Sequence, residues 1–199
     1  MWIRTGIIVG VIAVVTGGFI YWRVTSLSVY VDAASIEAPL IDLAPSQAGT
    51  LEDVYVNVGD QVPQDATVAR VGNELIKSKV AGVIVSEPDT IGAQINPGEA
   101  VVSMIDPTQL RVVGRVDEDK GLDRIKVGDS VTFTVDTFGS QQFTGVIDEI
   151  SPTSEQSGIV FNISDKRQVK QFDVKARFDT IAYPQLKNGM SARMWIYGG

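Results

Sequence analysis

Cysteine and histidine are both absent from the 199 residues. Without cysteine there is no disulfide framework, no thiol nucleophile and no N-terminal cysteine on which a lipid anchor could be built. With both missing, zinc sites of the usual Cys/His type are excluded. Only a carboxylate or lysine of shifted pKa could then serve as a general base near neutral pH. No serine stands in a glycine elbow with a histidine to serve it, and no glycine frame runs into the Lys-Ser/Thr of a phosphate loop. The expectation is a protein that is not an enzyme, with no catalytic residue, no cofactor and no metal.

Positive charge is also scarce, with 17 basic residues against 24 acidic ones. Two of the basic residues, Arg4 and Arg23, flank the one long uncharged stretch of the chain, TGIIVGVIAVVTGGFIYW at 5–22. Setting those two aside leaves a body of net charge −9, a poor candidate for nucleic acid or anionic lipid surfaces, so no nucleic-acid partner is expected. At 1.5 Å per residue the stretch would reach roughly 27 Å as a helix, close to a bilayer's hydrocarbon core. Trp2 and Arg4 on one side, and Tyr21, Trp22 and Arg23 on the other, supply interface chemistry. A cleaved signal peptide would have a shorter apolar region with small residues close behind, whereas Val31-Asp32-Ala33 lies far beyond Trp22. The stretch predicts an uncleaved single-pass helix in contact with the bilayer. The N-terminal amine favours a cytoplasmic N terminus, with the bulk of the chain extracytoplasmic at the inner or plasma membrane. Gly6 and Gly10 make a GxxxG pair that could support helix association.

Behind that stretch, hydrophobic residues at 44% and charged ones at 21% suit a folded body with a real core. Its first part contains an internal repeat. A shift of 33 positions lays Ala48-Gly49 on Ala81-Gly82, Leu51 on Ile84, Val58-Gly59 on Ile91-Gly92, Gln61-Val62 on Gln94-Ile95 and Val68 on Val101. Each half reads as strand, glycine turn, strand. Val54, Val56 and Val58 alternate with polar neighbours, and Gly59-Asp60 and Gly98-Glu99 sit beside Pro63 and Pro97. Two such halves predict two small sheets packed face to face. The joining segment turns at Gly72-Asn73, and Lys77 and Lys79 read as outward strand residues with solvated heads.

Residues 106–199 read as a second β domain. Val131, Phe133 and Val135 alternate with threonines, and FDVKARF and MSARMWIY alternate again around a turn at Asn188-Gly189. A short helix is expected from Glu118 to Lys126, capped by Asp117, with Leu122 and Ile125 facing the core and Gly128 after its end. Six or so strands with one short helix predict a small antiparallel barrel. The acidic groups Asp117-Glu118-Asp119 and Asp148-Glu149 are consecutive, and neighbours in a strand point to opposite faces, so they read as structural. Arg193 and Trp195 alternate with Met194 and Ile196; Trp195 falls on the outer face, where it could join an interface.

AGTLEDVYVNVGDQV and KVAGVIVSEPDTIGAQINPGEAV resemble the two halves of a biotinyl/lipoyl-type domain. In carriers of that fold the modified lysine stands on the hairpin between the halves; the equivalent position here, eleven residues before Gly82, is Val71. With Leu110–Glu118, Ile125-Lys126-Val127-Gly128, Phe143-Thr144-Gly145-Val146 and Asn188-Gly189-Met190-Ser191, the order resembles membrane fusion proteins, the periplasmic adaptor subunits of the HlyD (haemolysin-D) type. The resemblance implies a mainly β chain: a transmembrane anchor over 1–24, a lipoyl-like sandwich over 25–105 and a barrel over 106–199. It implies an adaptor of an efflux or secretion transporter (ABC, RND or MFS type), assembling as a homo-oligomer. Most of that family inserts a long helical hairpin between the lipoyl halves, for which there is no room here. An outer-membrane channel is therefore not an expected partner. The alternatives are a membrane-tethered biotin or lipoate carrier of an enzyme system, and an envelope scaffold without a transport role.

Overall fold

A computed structural model describes residues 28–88, 90–154 and 170–198. The stretch at 5–22 and its GxxxG pair lie outside them. Among the described residues no helix is long and apolar enough to cross a membrane. The chain is mainly β, as expected, and forms two units.

The sandwich unit comprises Ile36–Arg111 and Asp179–Gly189. Its strands are β2 (Leu40–Leu43), β3 (Gly49–Val54), β4 (Gln61–Val62), β5 (Thr67–Val71), β6 (Glu74–Lys77), β7 (Gly82–Ser86), β8 (Gln94–Ile95) and β9 (Val102–Ile105). They make two four-stranded sheets, ordered β2-β9-β7-β4 and β6-β5-β3-β8. Shifting the first sheet by 33 residues generates the second, so the repeat runs further than the 48–68 window and takes in β2 and β6. The hydrogen bonds repeat as well. Gly59 N donates to Ile84 O at 2.9 Å and Gly92 N to Leu51 O at 2.8 Å; Asp65 N donates to Ser78 O at 2.9 Å and Gly98 N to Pro45 O at 3.1 Å. Each sheet draws strands from both halves, so neither half has a sheet or core of its own. The shared core buries Leu43, Leu51, Val62 and Val68 with their repeat mates Ile76, Ile84, Ile95 and Val101.

Backbone sterics explain the glycines that begin β3 and β7. Gly49 pairs with Ile95 and Gly82 with Val62. A Cβ on Gly82 would meet the Ile105 carbonyl oxygen and lie 2.5 Å from Met104 Cε. The expected inward alternation stops short, because β3 ends at Val54: Val56 is buried, but Val58 stands in the turn and is 58% exposed.

The barrel unit takes the described parts of 1–35, Val112–Phe178 and 190–199. Its six strands, β1 (Ser28–Glu37), β10 (Arg111–Asp117), β11 (Ser130–Val135), β12 (Gln142–Ile150), β13 (Gln171–Phe178) and β14 (Ser191–Tyr197), close in the order β1-β10-β13-β12-β11-β14. The expected alternation holds: Val131, Phe133 and Val135 face inward, as do Val174 and Ala176, and Ala192, Met194 and Ile196. Phe133 stacks on its cross-strand partner Phe143 with centroids 5.4 Å apart. Two expectations are corrected here. Residues 28–35, assigned by sequence to the sandwich, pair with β14 and complete the barrel, while 179–189 belong to the sandwich unit. In the second, Arg111 to Asp117 run as strand, but the helix over Glu118–Lys126 is reduced to a 3-10 turn at Leu122–Arg124. Gly121, at φ 91°, has a left-handed backbone that no helix can run through. Ile125 nevertheless reaches the core, and Leu122 is half-buried.

Candidate functional site

The hairpin between β5 and β6 is where a carrier of this fold would hold its prosthetic group. Val71 faces Glu74 in register, and only Gly72 and Asn73 join them, with Gly72 at φ 54°. A left-handed glycine at the first turn position suits a two-residue hairpin. The tip is tied down from both sides. Gly72 N donates to Thr50 O at 2.7 Å. The Glu74 carboxylate accepts from Ser46 N at 3.1 and 3.0 Å, from Ser46 Oγ at 2.9 Å and from Gln47 N at 3.3 Å. These bonds, led by the one from the Ser46 backbone, hold Glu74 below the usual glutamate value. Lys77 lies in β6 opposite Thr67 and Lys79 just beyond that strand, both exposed and both away from the turn. The tip therefore offers a glycine, an asparagine and an engaged carboxylate, and no amine for acylation.

The acidic groups do not converge. Asp117 ends β10 rather than capping a helix; it pairs with Lys120 at 2.7 Å and accepts from Gln171 Nε2 at 2.9 Å. The Lys120 bond first, then the Gln171 bond, lower its pKa, and Asp117 in turn raises that of Lys120. Glu118 and Asp119 point to solvent. Glu149 binds Lys175 at 2.8 Å, while Asp148 falls at the irregularity in the β12–β13 register. Among the described residues no group of three carboxylates could hold a metal ion.

Beyond the tip and the acidic groups, two faces expose aromatic side chains. On the sandwich, Leu75 is register partner to Arg70, Arg70 is paired with Asp53, and Tyr55 O–H donates to Asp53 at 3.4 Å. Leu75 and Tyr55 are half exposed, at 50% and 51%. On the barrel, Tyr30 of β1 faces Trp195 of β14, with ring centroids 5.2 Å apart, and Tyr197 follows two residues on. Asp32, at the β1 bulge, accepts from Tyr30 O–H at 2.9 Å and pairs with Arg193 at 3.4 Å; Arg193 reaches Asp136 at 3.2 Å. The Asp32 bond is the main reason Tyr30 is held above the usual phenol value. Trp195 lies on the outer face, as its alternation implies, but is half-covered by Tyr30. Tyr30 itself was missed from sequence, although the Val29-Tyr30-Val31 alternation carried the signal. Glu74 was missed too, because its partners lie 27 and 28 residues away.

No protein-family profile matches the chain, and no curated protein matches it either. Solved structures do. A MacA–MexA chimera containing the Pseudomonas aeruginosa MexA α-hairpin domain superposes with a TM-score of 0.67 at 16% identity, covering 86% of this chain and 81% of that one. The membrane fusion protein Spr0693 of Streptococcus pneumoniae gives 0.64 at 14% identity, covering 86% and 99%. The periplasmic adaptor protein EmrA gives 0.57 at 11% identity, covering 87% and 99%. The fold is thus that of the membrane fusion and periplasmic adaptor proteins, lipoyl-like sandwich and barrel together. Among the described residues no helical hairpin stands between the lipoyl halves, which the two residues Gly72 and Asn73 join.

Proposed function

We propose that this chain is a membrane-anchored, extracytoplasmic adaptor of an efflux or secretion transporter, and that it works by recognition and assembly rather than by catalysis. The observation that carries this reading is the pairing, in one chain, of a complete lipoyl-type sandwich with a six-stranded barrel, the sandwich ending in a tip without lysine. Structures of the same fold bear the names membrane fusion protein and periplasmic adaptor protein, which supports an adaptor role. The uncharged stretch 5–22 supports a single-pass anchor with a cytoplasmic N terminus. The Leu75–Arg70–Asp53–Tyr55 face supplies surface for copies of the chain and for the transporter. The two-residue tip argues against contact with an outer-membrane channel through a helical hairpin.

Co-purification in mild detergent tests the proposal: the full chain should elute as an oligomer and bring a polytopic transporter with it. A chain that remains monomeric and captures none sinks it. Intact-mass measurement tests the carrier alternative, because biotin or lipoate would have to appear as added mass on a lysine.

A further inference from the structure

The outer face where β1 and β14 meet combines three aromatic side chains with a short tether. Tyr30 is 50% exposed and Tyr197 39%, with Trp195 between them against the Tyr30 ring. The register places Ser28 opposite Tyr197 and Tyr197 opposite Ser130, so this end of three adjacent strands forms one rim of the barrel. The turn leading into Ser130 lifts Val127 to 64% exposure at the same rim. Tyrosine and tryptophan with one apolar side and one polar tip are the side chains that settle at the headgroup level of a bilayer. Tyr30 has that form here, its ring exposed and its hydroxyl bonded to Asp32.

We propose that this rim, with Tyr30, Trp195, Tyr197 and Val127, rests on the headgroup layer of the membrane that anchors the chain. The inference builds on the reading of 5–22 as a bilayer span and goes beyond it, because it assigns a second, peripheral lipid contact to the folded barrel. Length of chain selects the occupant. From Arg23 to Ser28 there are five residues, which reach at most about 18 Å when fully extended. The first barrel strand therefore starts within that distance of the interface, and its exposed aromatic face is the part of the barrel closest to the tether. Charge does not choose a different occupant: Arg193 is matched by Asp32 and Asp136, so the face offers no basic patch to an acidic partner. The contact is one of amphipathic rings with zwitterionic headgroups.

The chain has three tryptophans, so Trp2→Phe with Trp22→Phe leaves Trp195 as the sole reporter. The full-length double variant is reconstituted into phosphatidylcholine vesicles and floated on a density gradient, which reads the span alone. Quenching of Trp195 is then compared for a headgroup spin label, a mid-chain spin label and aqueous iodide. The expected result is flotation, at least twofold stronger quenching by the headgroup label than by the mid-chain label, and reduced access for iodide. Adding Tyr30→Ser and Tyr197→Ser should at least halve the headgroup quenching while flotation persists. Flotation with Trp195 open to iodide and indifferent to the headgroup label overturns the rim contact and leaves the span intact. Protection from both iodide and lipid labels means that protein covers the face, which also overturns it. Failure to float removes the span and the rim proposal with it.

Discussion

In the half of the sandwich built from β2–β5, a Cβ on Gly49 would lie 3.0 Å from Val71 Cγ1 and 3.3 Å from Gly72 N. In the half built from β6–β9, a Cβ on the equivalent Gly82 would run into the Ile105 carbonyl and Met104 Cε. Both halves need a glycine at the same crossing, but the second is closed by a rigid carbonyl and the first chiefly by a methyl that can give way. Elsewhere the halves part in kind. Ser78 stands where the first half has Pro45, Gly98 where it has Asp65, and Glu74 where it has Ile41. On the outer faces, Leu75, Arg70 and Asp53 of one sheet correspond to Asp42, Ser103 and Ser86 of the other. Sequence is held in common at the glycine crossings and in most of the shared core, and it drifts on the outer faces, with Pro45 against Ser78 a buried exception. The two outer faces therefore present different chemistry on one symmetric frame.

The sharpest way to break this comparison is to add one methyl group to each half. Overpacking against a backbone oxygen should make Gly82→Ala cost about 3 kcal/mol in urea denaturation, and Gly49→Ala about 1 kcal/mol. Equal losses would mean that the two crossings are equally tight. Next is the buried hydroxyl of Ser78, which donates to Pro63 O at 2.7 Å and accepts from Ala66 N at 3.1 Å. Ser78→Ala leaves both groups without that partner and should cost about 1–2 kcal/mol. Pro45→Ala in the other half trims a buried ring but keeps the carbonyl that accepts from Gly98 N, and should cost less, about 0.5–1 kcal/mol by the same assay.

A smaller effect is expected at the left-handed turn shared by Asp65 (φ 63°) and Gly98 (φ 79°). Gly98→Ala should destabilise by about 1 kcal/mol, and Gly98→Asp, which copies the other half, by clearly less, because aspartate tolerates this backbone region. The least effect is the pH dependence of the Glu74 clamp, which the first half lacks. Its folded carboxyl sits below the usual 4.5, so the clamp is complete above that value and is lost as pH falls through the folded pKa. The protection factor of the Ser46 amide, the intrinsic exchange rate over the observed one at each pH, should fall over that window, and Glu74→Gln should abolish that dependence. A protection factor that stays flat with pH in the native chain would show that the carboxylate does not hold the tip.

The repeat was legible because its glycines are demanded by close backbone approach and its apolar positions by one shared core. Its full extent was not: Leu43 and Ile76 match, but Ile41 against Glu74 and Pro45 against Ser78 hide the register of β2 and β6. The barrel strands were legible from alternation alone. The helix at Glu118–Lys126 was misread because apolar spacing at Leu122 and Ile125 outweighed Gly121, whose backbone sign decides the matter. Val58 was misread because alternation cannot tell where a strand stops. The empty hairpin tip was legible, since a missing lysine needs no geometry. The aromatic rim was half visible, because Tyr30 and Trp195 are 165 residues apart and only pairing brings them together.

That pairing also has a temporal consequence. The sandwich core lies between Leu43 and Met104, an unbroken run that can collapse as soon as it is made. The barrel cannot close so early: one edge of β1 waits for β14, since Val29 is the register partner of Ile196. Contacts so distant in sequence carry the largest loop-closure cost and form late. Until Ser191–Tyr197 arrives, β1 can pair only with β10 and its other edge stays open, and an open edge beside an apolar face exposes the newborn chain to aggregation in that interval.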